Sequence, residues 1–402
     1  MTSFGNATAA IASVRRVAAA DRHSAMRIEV ELRPLSELAA IAEDWRLLAA
    51  RALEQNVFYD PGFALAAAPV MGADVRAGLI WSRAPRELVG FFPVRIDRCR
   101  YGIPFALLVG WTHPYAPLGT PLVDRDLAEP VIAAWLDHVT NDAALPNLML
   151  MPMVAQTGAF AKTLADLLAR RGCQATSFDR HQRALLLPGE NRAGYFQRSL
   201  SGKRLRDMRR RERRLQERGT LALEQAKDGE TLASALEDFL ALEAAGWKGR
   251  AGTAASQNQG ERDFIERAVT ALGRDDKVLI HRLRAGGKVI AAAIALKSGD
   301  TAWGWKVSYD EAYAEYSPGV LAVAGLTEAL LADAAIAQAD SCATAGDPMA
   351  STLWSERLTM ADWLFATTAR ANFSFRLAAR LETWRRSAIA AAKSARDHLR
   401  RH

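Results

Sequence analysis

A mixed α/β fold built from two similar halves is what this sequence predicts, on three observations. Strand-length apolar or alternating runs interleave with amphipathic stretches of helical period along the chain. One order of elements (strand, two helices, three strands, helix, strand, helix, strand) can be read from residue 27 to 187 and again from 221 to 367. The chain has 402 residues, enough for two or three domains with sizeable cores. Identity between the halves is slight, so the repeat lies in element order and not in a sequence period.

The first half opens with a strand at 27–33 and a helix over 35–52, where Leu38, Ile41, Trp45 and Leu48 follow helical spacing. Asp60-Pro61 opens a second helix. Strands follow at 75–82, 87–97 and 105–111, then a proline-broken loop, THPYAPLGTPLVD. A helix at 126–139, a strand at 147–151, a helix at 156–171 and a strand near 184–187 complete the half. A basic helix over 201–218 intervenes, with eight Lys or Arg residues between Lys203 and Arg214 and a thin apolar stripe of Leu205, Met208 and Leu215. The second half repeats the order: strand 221–225, helices 231–245 and 261–272, and strands 277–284, 288–297 and 301–308. The run VIAAAIAL is apolar and small throughout, as suits a strand buried on both faces. After a helix from Ser317 come a short strand at 340–342, a short helix at 353–357 and a strand at 360–367. The expected units are a disordered tail (1–25), two domains (26–188 and 220–370) joined by the basic linker 189–219, and an amphipathic helix (371–402). In that last helix Phe373, Leu377, Leu381 and Trp384 form the side expected to pack on the second domain, with peripheral membrane contact as the other reading.

Composition narrows the class. Half the residues are hydrophobic and 24% charged, as in an ordinary soluble protein, and the net charge of +7 favours anionic partners. Cys99, Cys173 and Cys342 are far apart and show neither a disulfide framework nor metal-ligand spacing, so no metal is expected and a reducing, cytoplasmic setting is. No apolar run approaches the ~20 residues that span a bilayer. Serine-hydrolase, P-loop, dinucleotide-binding and HExxH motifs are absent from the sequence.

The most informative stretch is TAWGWKVSYDEAYAEYSPGVL. Trp303, Trp305 and Val307 alternate with small or polar residues as in a half-buried strand, so they are expected on one face. Ser317 suits an N-cap, Pro318 the first helical position, and Gly319 leaves the first turn bare for an anion. Unpaired N–H groups and the helix dipole favour a diphosphate there; a plain well-capped core helix is the other reading.

The order of elements, together with SLSGKRLRDMRRRERRLQERG, LEAAGWKGRAGTA, WKVSYDEAYAEYSPGVL, DSCATAGDPM and HPYAPLGTPLVD, resembles the acyl-CoA N-acyltransferase (GNAT) fold in tandem. It is similar to the FemAB-like transferases and to the acetyltransferases grouped with the cellulose-biosynthesis CelD proteins. The resemblance implies that the helix after the fourth strand holds the pyrophosphate of acetyl-CoA, or another acyl-CoA co-substrate, through Ser317, Pro318, Gly319, Val320 and Leu321. It also implies that the connection carrying Trp247 and Lys248 borders the acceptor. The usual glutamine- or arginine-led loop with two glycines is replaced here by SPG alone, so an acyl-CoA, another thioester or an aminoacyl-tRNA all remain as donors.

Transfer from a thioester to an amine needs positioning, a base and oxyanion donors rather than a covalent triad. Lys306, Tyr309, Asp310 and Tyr316 stand near the expected donor end: the tyrosines as donors, Asp310 to orient a base or hold Lys306. His113 and Tyr115 lie in the first half's equivalent loop, with His113 a candidate base and Tyr115 an acceptor wall. Asp340 and Asp347 are candidates to steer an amine, and Arg204 to contact CoA phosphates. The expected activity is acyl transfer from acyl-CoA to an amine or hydroxyl of a polar acceptor, such as a sugar or exopolysaccharide precursor. The alternatives are aminoacyl-tRNA-dependent transfer and a non-catalytic binder of anionic polymers.

Overall fold

The computed structural model describes residues 28–190, 192–343 and 352–399. The tail 1–25, and Asp347 with the end of DSCATAGDPM, lie outside them. β1 (Ile28–Pro34) leads into a 3-10 turn (Leu35–Ile41) and α1 (Ala42–Ala50). The helix expected over 35–52 is therefore wound in two pieces. Asp60 accepts from the Gly62 N–H at 2.8 Å and Pro61 takes the first position of α2 (Pro61–Met71), as the sequence predicts. Then come β2 (Arg76–Arg83), β3 (Arg86–Asp97), β4 (Leu107–Gly110), a short β5 (Leu122–Val123), α3 (Ala128–Asn141), β6 (Leu148–Ala155), α4 (Ala159–Arg170) and β7 (Ala175–Leu186).

The bridge holds α5 (Tyr195–Ser199) and the basic α6 (Gly202–Gln216). The second half runs β8 (Leu221–Ala226), α7 (Gly229–Ala245), α8 (Trp247–Arg250), α9 (Gln259–Gly273), β9 (Val278–Ala285), β10 (Lys288–Ser298) and β11 (Thr301–Tyr309). A 3-10 turn (Glu311–Tyr316), α10 (Pro318–Ala332), β12 (Gln338–Asp340), β13 (Glu356–Ala366) and α11 (Asn372–Leu399) complete it. The mixed α/β order repeated along the chain is as expected.

Among the described residues thirteen strands form one sheet, in the order β1-β2-β3-β4-β6-β13-β7-β12-β11-β10-β9-β8, with β5 on β3. The two halves exchange their last strands. β13, from the second half, pairs with β6 of the first (Met360↔Ala155 to Ala366↔Leu148), and β7, from the first, pairs with β12 of the second (Leu186↔Ala339). β13 and β7 also pair with each other over most of their length. β7 is much longer than the segment expected at 184–187, because its polar first part, ATSFDRHQR, is held by β13 and not by burial. The short helix expected over 353–357 is corrected too: Glu356 and Arg357 already belong to β13 and pair with Leu185 and Ala184.

β10 divides two cores. Ala292, Ile294 and Leu296 pack in the cluster that includes Phe239, Phe264 and Trp303, while Ala291, Ala293 and Ala295 pack with Ala322, Leu326 and Leu330 of α10. All six are buried, and the small size of Ala291, Ala293 and Ala295 lets α10 press close on its face. In the first half the loop after β4 fills its own wedge. Gly119 is required there, since a Cβ would lie 2.0 Å from the Pro152 carbonyl oxygen.

The C-terminal helix is also turned from its expected orientation. Phe375, Ala378 and Glu382 face the body, whereas Phe373, Leu377 and Trp384 are exposed. The cause is a buried ionic anchor: the Glu382 carboxylate, 0% exposed, accepts from Arg100 at 2.8 and 2.9 Å and from Arg386 at 2.7 Å.

Candidate functional site

β11 positions the site. Its register on β10 slips between Ile294↔Lys306 and Ala295↔Gly304, a bulge that leaves Trp305 without an opposite residue. The bulge corrects the expected alternation. Trp303 and Trp305 stay in the core beneath α7 and α9, but Val307 packs with the α10 cluster on the other face. Lys306 joins the Trp305 side.

There the two halves meet. The Trp305 indole donates to the Tyr115 carbonyl at 2.9 Å, and Lys306 Nζ lies 4.2 Å from the Tyr115 ring centroid. Tyr115 in turn donates its hydroxyl to Glu261 of α9. Lys306 Nζ is 3.8 Å from Glu243 Oε1, which also accepts from Lys248 at 2.7 Å, while Glu243 Oε2 accepts the Ala255 N–H at 3.0 Å. Burial pulls the Lys306 ammonium down to about 8, against the opposing pull of Glu243. Burial alone would raise Glu243, but Lys306, Lys248 and the Ala255 N–H hold it below the usual carboxylate range. The result is an amine that is part neutral near neutral pH, beside a charged carboxylate.

On the other face, β11 pairs with β12 over only three residues, ending at Trp303↔Asp340. Beyond that pair Gly304–Tyr309 have no β12 partner among the described residues, and Ser341 and Trp354 lie beside Gly304. Ser317, at φ 53 and ψ 54, is the N-cap residue of α10 but makes no side-chain cap bond. Its hydroxyl accepts instead from Arg211 of α6 at 2.5 Å. Pro318 takes the first position, as expected. A groove of about 230 Å³ runs along this turn, lined by Ser317, Val320 and Leu321 on one side and by Arg204, Asp207 and Arg211 of α6 on the other. α6 is fixed there by Arg214, which pairs with Glu315 at 3.1 Å and lies over the Tyr316 ring; Arg218 just beyond it donates to the Tyr316 hydroxyl at 3.1 Å. The first half differs: the first turn of α3 carries Glu129, which pairs with Arg170 of α4 at 2.6 Å.

A second cavity, about 630 Å³, lies at the seam of the exchanged strands. Its walls include Glu54, Arg125, Thr301, Trp303, Asp340 and Arg357, from both halves. Asp340 is engaged at its edge: Oδ2 accepts from Arg183 at 3.1 Å and Oδ1 from the Cys342 N–H at 2.9 Å, both in a buried setting.

Several sequence candidates have other partners. Asp310 holds Lys288 at 2.7 Å rather than Lys306, and accepts the Ala312 N–H at the start of the 3-10 turn; Lys288 lowers its carboxyl. Tyr309 packs in the α10 cluster, on the face away from Lys306. His113 lies among Phe63, Trp111 and Phe264, with neither ring nitrogen bonded, and burial lowers it to about 4. It is a neutral ring inside an aromatic cage. Trp247 is 62% exposed, and its backbone N–H is fixed by Glu311 at 2.8 Å. Glu243, Glu261 and Arg211 were not singled out from sequence. Glu243 was findable, because it falls on the apolar stripe of α7 with Leu236, Phe239 and Leu240, where a carboxylate needs a reason.

Residues 202–345, from α6 past β12, match the acetyltransferase (GNAT) domain family. No curated protein matches the sequence. Among solved structures, FemX superposes with a TM-score of 0.55 at 10% identity, covering 80% of this chain and 95% of that one. The C-terminal DUF2156 domain of a putative lysylphosphatidylglycerol synthetase from Agrobacterium fabrum does so at 0.51 and 13% identity, over 85% and 96%. A conserved protein of unknown function from Bacteroides thetaiotaomicron gives 0.52 at 13% identity, over 84% and 99%. At these identities the likeness is one of fold.

Proposed function

We propose that the chain is an acyl-CoA-dependent acyltransferase whose donor phosphates lie in the groove between α6 and the first turn of α10 and whose acceptor enters from the Lys306 side. The observation that carries this reading is the groove between the first turn of α10 and the arginines of α6. An anion there meets two guanidinium groups beside the positive end of the α10 dipole, although the Val320 and Leu321 N–H groups already donate to the Ser317 carbonyl. The match of residues 202–345 to an acetyltransferase domain supports the donor class.

Transfer joins the acceptor nitrogen or oxygen to the acyl carbon and releases the thiol, and one proton must leave the acceptor. Lys306 in its neutral form takes that proton, and Glu243 holds the amine in place and returns its charge balance afterwards. The bulge at Trp305 brings Lys306 to the Trp305 side of β11, facing Tyr115 and Glu243. Tyr115 and Trp247 border the acceptor. A sugar or exopolysaccharide precursor is the acceptor to which the CelD resemblance points.

The test is a mass-spectrometric screen of amine and sugar acceptors with acetyl-CoA, beside melting curves with acetyl-CoA. Stabilisation by the donor and acylation of a sugar amine or hydroxyl support the reading; neither occurring removes it. The exposed arginines of α6 beyond Arg204 and Arg211 favour one second reading, an aminoacyl-tRNA donor. Steeply salt-dependent tRNA binding without stabilisation by acetyl-CoA would select it.

A further inference from the structure

We propose that the outward face of α11 is a docking surface for an anionic lipid bilayer. Phe373, Leu377 and Trp384 are 75%, 43% and 79% exposed, although all three are large and apolar. At 100° per residue they fall within about 40° of one another on one side of the helix. The opposite side is occupied by the Glu382 anchor to Arg100 and Arg386, so the helix cannot roll to bury them. From residue 387 onward every described position is exposed and the helix stands off the body.

Charge selects the occupant. Arg380 lies between the apolar residues on the same face and Arg376 at its edge, both exposed and neither in an ion pair among the described residues. Long arginine stems can lie along an apolar layer while their guanidinium groups reach phosphate. A second copy of this face would bring arginines against arginines. Residues 1–27 carry Arg15, Arg16, Arg22 and Arg27 against the single acid Asp21, so they are repelled too. Nucleic acid would satisfy the arginines but gives no reason for a central tryptophan and phenylalanine. An anionic membrane surface satisfies both, with the rings at headgroup depth. No helix among the described residues is long and apolar enough to cross a membrane, so the contact is peripheral.

The test is flotation of the full chain with phosphatidylcholine vesicles, with and without phosphatidylglycerol, for wild type, Phe373→Ser/Trp384→Ser and Arg376→Glu/Arg380→Glu. All four positions face solvent, so melting temperatures should stay close to wild type and report any misfolding. Wild type should float with phosphatidylglycerol vesicles only and detach as salt rises. Each double variant should partition about tenfold less or weaker. Absence of wild-type binding, or variants that bind as wild type, overturns the proposal. So does dimerisation abolished by Phe373→Ser/Trp384→Ser without vesicle binding, which gives the face to a second copy. RNA binding that needs only the arginines, again without vesicle binding, overturns it in favour of nucleic acid.

Discussion

The Lys306 ammonium of the second half sits 4.2 Å above the Tyr115 ring of the first, so each half completes the other at the site. Lys306→Met should lower turnover by roughly 10²–10⁴ while leaving donor binding near wild type, the split expected of a proton acceptor. Because Lys306 is lowered to about 8, the rate should rise with pH through about 8 as the neutral amine forms. Glu243→Gln removes an attraction that favours the charged amine, so the limb should move to lower pH. A pH–rate profile that keeps its limb in Glu243→Gln would take the base role from Lys306.

Asp340 illustrates a candidate with a structural duty. With Arg183, whose Nη2 also donates to the Pro117 carbonyl at 2.7 Å, it ties β7, β12 and the loop after β4 together. Removing one partner of so buried a pair leaves an uncompensated charge. Asp340→Ala should therefore cost about 3–5 kcal/mol in urea unfolding. A purely substrate-steering Asp340 would instead change the acceptor KM and leave stability alone.

Acid should weaken the fold in a defined window. Burial lowers both His113 and His281 to about 4 from the ordinary 6.5. The unfolded chain then binds more protons between about pH 6.5 and 4, so stability is full above 6.5 and falls as pH drops toward 4, by at most about 3 kcal/mol per histidine. His113→Phe should flatten part of that slope and leave turnover within about twofold, since the neutral ring only packs. A large loss of turnover in a folded His113→Phe would restore His113 as a base.

The exchanged strands make the halves interdependent. Expressed alone, residues 28–190 would lack the β13 and β12 neighbours of β7, and residues 192–399 would lack both neighbours of β13. We expect neither piece to melt cooperatively by circular dichroism and the co-expressed pieces to associate. Cooperative unfolding of either piece alone would contradict this.

Much of this architecture was legible locally. Asp60 marks a helix start through its side-chain acceptor, Pro61 and Pro318 mark helix starts through their fixed φ, and the buried strands announce themselves by apolar runs. The strand exchange was not legible, because pairing of β13 with β6 and β7 joins residues far apart in sequence, such as Ala366 with Leu148 and Glu356 with Leu185. For the same reason the polar first part of β7 reads as loop. The bulge at Trp305 breaks the period-two rule from which the faces of β11 were read. The SPG turn was visible and Arg204 was read as a contact for CoA phosphates, but the bond from Arg211 to Ser317 was not legible, since nothing local says how α6 docks. Glu243 was visible as an acid on an apolar stripe, and its partner Lys306 was already among the candidates.

The seat at Ser317 is tested most directly by calorimetric titration of acetyl-CoA into wild type, Arg211→Glu and Gly319→Asp. Arg211→Glu places a carboxylate against the groove from α6, at a position exposed enough to change without disturbing the core; Gly319 is buried in the first turn of α10 next to the groove-lining Val320, so its variant acts on that turn and melting curves report whether it folds. The account predicts saturable binding by wild type, a Kd raised at least about tenfold in Arg211→Glu, and no detectable binding in Gly319→Asp. Absence of binding by wild type, or equal affinity in folded Arg211→Glu and Gly319→Asp, would contradict it.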